Sequence, residues 1–476
     1  MVGLMLQTER PAAGRRTVTS PYDGRELETL ETADAAHVED AMTTAFRLFR
    51  DRKSWLTLPN RLAILERTAE LMTERVEELT VLAASEGGKP YTDSKVEVLR
   101  AIDGVKLCIE GMRAHAGDVI PVGTTAATAG RLAVTQKEPV GVVVAVSAFN
   151  HPLNLIVHQV GPAVASGCPF VVKPAEDTPL SCVRFVELLR EAGLPAEWGQ
   201  VVIAEDIDTA QALVSDVRVG FFSFIGSARV GWMLRSKLAP GARCALEHGG
   251  AAPVILAPPF DQDAALSSVL KGGFYHAGQV CVSVQRVYVP RDDAESFARA
   301  LAERASQLVV GPPESPDTEV GPLIRHGETE RVAKWVEDAI DAGATCLTGG
   351  KTLSPSCFAP TVLLDPAEDA LVSTREVFGP VVCVYGYATL DEAIDRANQL
   401  PVAFQAAAFT DDVNTALRLY KSLDASAVMI NDHSAFRDDA MPFAGLRESG
   451  LGVGGIPYTL HDMQTNKMMI VKSESL

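Results

Sequence analysis

The sequence predicts an α/β fold built on two parallel sheets with helices on both faces. Three observations carry this. Short continuous apolar runs, Val142–Val146 and Phe170–Val172 among them, read as strands buried on both sides. Helical patterns alternate with those runs, the order that a parallel sheet with crossover helices requires. The chain has 476 residues, 47% of them hydrophobic, enough for two or three domains with full cores.

Taken in order, Asp34 to Ala84 is amphipathic and helical, with Val38, Ala41, Ala45 and Phe46, then Leu62, Ile64, Leu65 and Leu71, at helical spacing. Gly117 to Val134 is sparse and β-like and predicts a protruding hairpin. Beyond the strand Val142–Val146, Pro152 is placed in the first turn of a helix. Beyond Phe170–Val172, Thr178 is the expected N-cap and Pro179 the first helical residue. In that helix Cys182, Phe185, Val186 and Leu189 share one buried face, which ends at Gly193. Strands near 201–203, 219–224 and 253–256 follow, with helices near 209–214 and 228–238. After Ala257 the alternation resumes, with helices near 263–275, 294–307, 328–342, 390–399 and 412–422.

Composition narrows the function. With 61 acidic against 43 basic residues and a net charge of -18, the surface repels phosphate backbones and anionic lipid, so neither nucleic acid nor a membrane is an expected partner. No apolar run is long enough to span a bilayer and the N-terminal residues carry no secretion pattern, so a cytoplasmic location is expected. Eight cysteines without a C-x-x-C and nine histidines without an H-E-x-x-H predict free thiols and no metal site.

One thiol stands apart from the others. Cys281 ends the small turn His276-Ala277-Gly278-Gln279, after a helical pattern and before a β-branched run, at an element boundary a substrate can reach. Three strand ends supply groups suited to surround it. Asn150 offers an amide to a developing oxyanion, although taken alone it serves equally as a helix N-cap. Glu247 lies among apolar and glycine residues, where burial raises a carboxyl toward the pKa of a general base. Phe224-Ile225-Gly226-Ser227 leads into a helix, where Gly226 and Ser227 suit a pyrophosphate, and Lys173 with Glu176 suits the hydroxyls of a ribose.

In sequence order these segments resemble the NAD(P)-dependent aldehyde dehydrogenase superfamily over nearly the whole chain. Phe149-Asn150-His151-Pro152 resembles its Trp-Asn-x-Pro, Phe224-Ile225-Gly226-Ser227 its Phe-Thr-Gly-Ser, and Leu246-Glu247-His248-Gly249-Gly250 its Leu-Glu-Leu-Gly-Gly. Gly278-Gln279-Val280-Cys281 is similar to the Gly-Gln-x-Cys nucleophile signature, Glu376-Val377-Phe378-Gly379-Pro380 to Glu-x-Phe-Gly-Pro, and Pro442-Phe443-Ala444-Gly445 to Pro-Phe-Gly-Gly. The resemblance implies an aldehyde dehydrogenase-like fold. Its parts would be a variant Rossmann cofactor domain (1–116 and 139–250), a second α/β catalytic domain (251–445) and a small β oligomerisation element (117–138 and 458–476).

It further implies that Cys281 attacks the aldehyde, that Asn150 stabilises the oxyanion and that Glu247 activates water to hydrolyse a thioester to a carboxylic acid. Lys173 and Glu176 would meet the adenosine ribose, Gly226 and Ser227 the pyrophosphate, and Glu376 and Phe378 the nicotinamide ribose and ring. The Glu176 carboxylate favours NAD over NADP, since it repels a 2'-phosphate. A homodimer or homotetramer is expected by analogy.

Departures from the pattern bear on substrate. His248 replaces Leu beside Glu247, His276 replaces Asn, and Ile225 replaces Thr. Asn150-His151, His433 and Ala435-Phe436-Arg437-Asp438 resemble the branch acting on small, in part anionic aldehydes such as lactaldehyde, semialdehydes and phosphonoaldehydes. Val280 stands where phosphate-handling members carry Arg, which leaves Arg437 or His151 as the candidate anion ligand. Two alternative readings are a cysteine-dependent acyl-transferase or hydrolase, and a catalytically silent structural relative. The first leaves Lys173, Glu176 and Glu376 without a task, and the second leaves Cys281, Glu247 and Asn150 without one.

Overall fold

The computed structural model describes residues 1–114 and 117–476, so the domain boundary expected at 116 lies outside the described residues. The first sheet grows from the strand Val142–Val146, all five residues of which are buried. Phe170–Lys173 and then Gly199–Val201 add in parallel on one side, and Val219–Ile225 and then Arg243–Glu247 on the other. Chain order thus reverses at Val142–Val146, which opens a crevice at the carboxyl ends of that strand and of Val219–Ile225.

Alternate residues of the central strand serve opposite cores, as period-two geometry demands. Val143 and Ala145 pack with Val105, Val157, Phe185 and Leu189, whereas Val142 and Val144 pack with Val38, Met42, Leu213 and Phe222. The second sheet centres on Ala252–Leu256, flanked in parallel by Val284–Pro290 and by Gln405–Phe409. Val381–Tyr387 and Thr361–Leu364 extend it on one side and Ala427–Ile430 on the other. Only four residues separate Glu247, the last of the first sheet's strand Arg243–Glu247, from Ala252, the first of the second sheet's central strand.

The hairpin forms between Val119–Ile120 and Arg131–Pro139, and the C-terminal strand Gln464–Lys472 completes a three-stranded sheet. That strand is a sheet edge whose Met468, Met469 and Ile470 are all at least half exposed. Among the described residues, no helix is long and apolar enough to cross a membrane.

Two helix starts differ from expectation. The helix after the central strand is Asn154–Ser166, so Pro152 lies in the turn ahead of it and Asn150 caps nothing. The next helix is Leu180–Glu191, with Pro179 at the N-cap position and no side-chain cap bond. Thr178 instead donates to the Phe149 carbonyl at 3.4 Å. The free amides of Leu180 and Ser181 donate to the buried carboxylate of Glu86, each at 2.7 Å. A carboxylate at a helix N-terminus satisfies orphan N–H groups and suits the helix dipole. It comes here from the neighbouring helix Val76–Gly87 rather than from a local cap.

Candidate active site

Cys281 follows the helix Gln262–Phe274 through a tight turn in which His276 and Ala277 both adopt left-handed backbone, φ 49° and 54°. L-residues pay for that conformation, and such strain persists only where the surroundings fix it. Gln279 does the fixing. Its Nε2 donates to the Pro322 carbonyl at 3.1 Å and its Oε1 accepts from the Ile324 amide at 3.0 Å. Gly278, at φ 70°, sits against the Gly379 carbonyl with no room for a Cβ.

Two of the predicted partners reach this turn from the first sheet. Asn150 is buried and its Nδ2 donates to the Gln279 carbonyl at 3.0 Å, which aims the amide at the segment carrying Cys281. The Gly250 amide, just past Glu247, donates to the Cys281 carbonyl at 3.2 Å. Glu247 itself ends its strand with its carboxylate against Gly454, where a Cβ would collide with it. Burial pushes the Glu247 carboxyl up to about 7, with the Arg437 cation partly opposing. Burial also raises the Cys281 thiol, and the charges of Glu376 and Glu247 add to it. The resting thiol is therefore protonated, and the Glu247 carboxyl, whose charge acts on it, titrates near neutrality.

The residues expected on the cofactor side stand at the ends of first-sheet strands, Lys173 closing Phe170–Lys173 and Gly226 following Val219–Ile225, or line the cavity beside the Cys281 turn. Glu376 is pushed up to about 8 by burial, against the Gly250 amide and Arg331. Its Oε1 is buried without a hydrogen-bond partner among the described residues. Phe378, at φ 48°, lines a cavity with Glu376, Gly278 and Val280 and meets the Phe149 ring edge-on at 5.8 Å. Gly226 and Ser227 open the helix Ala228–Arg235, and Ser227 makes no capping bond of its own. Lys173 Nζ donates to Glu176 Oε1 at 3.1 Å, and the Lys173 charge holds the Glu176 carboxyl below its ordinary range. An orphaned carboxylate oxygen, an exposed serine at a helix N-terminus and a lysine–carboxylate pair fit a dinucleotide lying across the crevice.

A cationic cluster escaped sequence reasoning except for one of its members, Arg437. Asp439 is its hub, accepting from Arg100 through Nε at 3.0 Å and Nη2 at 2.7 Å, from His158 at 2.8 Å and from Asn154 at 3.3 Å. Burial works to raise the Asp439 carboxyl, but the bonds from His158 and Arg100 outweigh it and hold it well below the carboxylate range. Asp439 is thereby saturated, and Arg437 approaches it only to 3.8 Å. The Arg437 guanidinium lies 3.5 Å over the Phe443 ring, and its Nη1 is buried without a partner among the described residues. Burial lowers its pKa to about 10, so it stays charged at neutral pH, with Glu247 and Cys281 close enough to feel it. His151, held well below its ordinary pKa by burial and the neighbouring cations, is neutral. Arg100 and Asp439 are 339 residues apart in sequence, and no local pattern links them.

Among the described residues no cluster of histidine, cysteine and carboxylate side chains is able to hold a metal ion. Comparison with known proteins places this geometry. The model of the aldehyde dehydrogenase family matches residues 9–469. A 3-sulfolactaldehyde dehydrogenase of Priestia aryabhattai is 37% identical over 86% of this chain and 86% of its own length. Aldehyde dehydrogenase 21 of Physcomitrella patens, solved with the reaction product succinate, superposes with a TM-score of 0.94 at 31% identity, covering 99% of this chain and 98% of that one. Glyceraldehyde-3-phosphate dehydrogenase of Methanocaldococcus jannaschii, solved with NADP, superposes with a TM-score of 0.92 at 33% identity, covering 98% of this chain and 100% of that one. With its fold, its motifs and nearly its whole length matched, this chain belongs to the aldehyde dehydrogenase family and is an NAD(P)-dependent aldehyde oxidoreductase.

Proposed function

We propose that the chain oxidises a small aldehyde carrying a negative charge to the corresponding acid, with Cys281 as nucleophile. The observation that carries the substrate class is the buried, unpartnered Nη1 of Arg437 near Cys281. A charged donor out of water and without a partner is costly, and an anionic group on the substrate relieves that cost. Relatives and neighbours named for sulfolactaldehyde or solved with succinate agree with a substrate of that kind. Val280 belongs to the apolar cluster packed against Cys281 and adds no second cation there, so Arg437 is the guanidinium offered to the anion. That suits a carboxylate or sulfonate better than a phosphate dianion.

In the chemical sequence, Glu247 takes the thiol proton and the Cys281 sulfur bonds to the aldehyde carbon. The remaining N–H of the Asn150 amide and the Cys281 backbone N–H hold the oxygen as it gains charge. Bound in the crevice, the nicotinamide supplies the acceptor for the hydride, which leaves a thioester on Cys281. Glu247 passes its first proton to solvent and then draws one from water, whose hydroxide adds to the thioester carbon; the carboxylic acid leaves as Glu247 returns that proton to the Cys281 sulfur. Val280, Phe443 and Phe404 surround the sulfur with apolar walls that limit other water.

NAD is the favoured cofactor. Beyond Lys173, which pairs with Glu176, the other cations that act on Glu176 are already engaged, Arg325 with Asp177 and Arg16 with the carbonyls of Ala204 and Glu205. The ionised Glu176 is left to face the ribose. Glu176→Gln is expected to leave NAD turnover within about threefold and to raise kcat/KM for NADP about tenfold, the loss of one charge repulsion. Initial rates with each dinucleotide check this, and an unchanged NADP rate excludes the role.

The exposed apolar edge of Gln464–Lys472 supports a homodimer or homotetramer in which that strand meets a second copy. The packing of Ile456, Leu460 and Met463 in the core of the first sheet supports a protruding element that starts at Gln464 rather than at 458, with 251–445 kept as the catalytic domain. The direct test of the substrate class is a pair of aldehydes of equal length on the wild type, a carboxylate- or sulfonate-bearing one against a neutral one. The charged partner is expected to win by at least about tenfold in kcat/KM, and parity refutes the assignment.

A further inference from the structure

His248 occupies a position between the general base and the cofactor turn. Its neighbour Glu247 accepts the Gly226 amide at its backbone carbonyl, 3.0 Å away. The His248 ring adds a second tie to the same residue, since Nδ1 lies 3.0 Å from the Gly226 carbonyl. A carbonyl only accepts, so Nδ1 carries the proton and Nε2 is a bare acceptor. That Nε2 is buried and has no partner among the described residues. Burial holds the imidazole below its ordinary pKa, which keeps this single tautomer at neutral pH.

The ring is enclosed by Phe224 and Trp232, at 5.6 and 5.7 Å, and by Gly231, where any Cβ would strike it. Leucine, the residue this motif ordinarily carries here, fills such a space without stranding a nitrogen. What histidine adds is the bond to Gly226. Gly226, at φ 157°, has no Cβ to restrict it, and it precedes the exposed Ser227 at the start of the helix Ala228–Arg235. A turn that must hold its amides ready for a pyrophosphate gains from having both its N–H and its C=O pinned.

We infer that His248 is a positioning residue that clamps the Gly226–Ser227 turn through its Nδ1–H, pre-forming the dinucleotide phosphate site. The inference rests on the proposed placement of the pyrophosphate at Gly226 and Ser227. It acts on cofactor affinity and leaves the chemistry of Cys281 and Glu247 to those residues.

Asparagine places its amide nitrogen near the position of Nδ1, and glutamine near that of Nε2, so the two substitutions separate the bond from the bulk. Titration of full-length H248L, H248Q and H248N with NAD alone reads the affinity. Loss of one such bond is expected to weaken NAD binding by H248L and H248Q about three- to tenfold, with H248N within about twofold of wild type. Michaelis kinetics with an aldehyde the wild type oxidises are expected to show KM for NAD rising in H248L and H248Q while kcat at saturating NAD stays within about twofold. If H248L fails to fold, the H248Q and H248N pair carries the comparison.

Equal weakening in all three variants, or wild-type affinity in all three, overturns the clamp. S227E, which sets a charge where the pyrophosphate is placed, distinguishes the two claims. Weak NAD binding by S227E with normal binding by H248Q overturns the clamp alone. Normal binding by S227E overturns the cofactor placement and the clamp together.

Discussion

Glu247→Gln is expected to release one equivalent of reduced nicotinamide per active site, more slowly than the wild type because the thiol must then lose its proton to water, and then to stall. The amide cannot draw a proton from water, so the thioester on Cys281 outlives its formation and steady-state turnover falls about 10²- to 10⁴-fold. Rapid-mixing absorbance of the nicotinamide checks this, and a variant with full steady-state turnover excludes Glu247 as the base. The pH dependence follows from its environment, in which burial raises the carboxyl from 4.5 to about 7. The working form is the ionised one, so wild-type turnover limited by hydrolysis falls as pH drops through about 7 and levels off above it. In Glu247→Gln that limb is absent.

Arg437→Leu is expected to cut kcat/KM for a carboxylate- or sulfonate-bearing aldehyde about 30- to 1000-fold. That loss corresponds to ~2–4 kcal/mol for a desolvated charge-assisted contact. A neutral aldehyde of the same length is expected to change by less than about threefold when measured well above pH 7, where Glu247 is ionised in both proteins. The proviso matters because Arg437 stabilises the Glu247 carboxylate. Without it the Glu247 pKa moves further up, and the low-pH limb moves with it. Asp439 keeps Arg100 and His158, so the variant retains the ionic hub that holds the loop. Equal losses on charged and neutral aldehydes contradict the anion-anchor role.

The parts legible in the sequence were those governed by local chemistry. The strand Val142–Val146 is where its apolar run placed it, because a strand buried on both faces has no polar alternation to obscure it. The helix Gln262–Phe274 and the turn before Cys281 were likewise visible from periodicity and glycine. The two helix starts were not, since Glu86 reaches the amides of Leu180 and Ser181 from 94 and 95 residues away and Glu97 those of Leu153 and Asn154 from 56 and 57. A cap supplied by tertiary structure leaves no local signature. The left-handed His276 and Ala277 were hidden for a related reason, as their strain is held by Gln279 and by a Gly278–Gly379 contact between distant segments.

The candidate site divides along the same line. Cys281, Glu247 and Asn150 were named from motifs, yet the room for the Glu247 carboxylate depends on Gly454, on the far side of the catalytic domain in sequence. Arg437 was named as a candidate anion ligand, whereas the reason it is free to act is the saturation of Asp439 by Arg100, His158 and Asn154. Saturation of one carboxylate by three distant partners is a property of the folded chain alone.

The central claim is that a thioester forms on Cys281 and that Glu247 removes it. Its most direct test is mass spectrometry of Glu247→Gln after mixing with NAD and an anionic aldehyde that the wild type oxidises. The account predicts an acyl group on the peptide containing Cys281 and none on the other seven cysteines, with no adduct and no reduced nicotinamide from Cys281→Ala. An acyl group on a different residue, or aldehyde-dependent reduction of NAD that survives in Cys281→Ala, would contradict it.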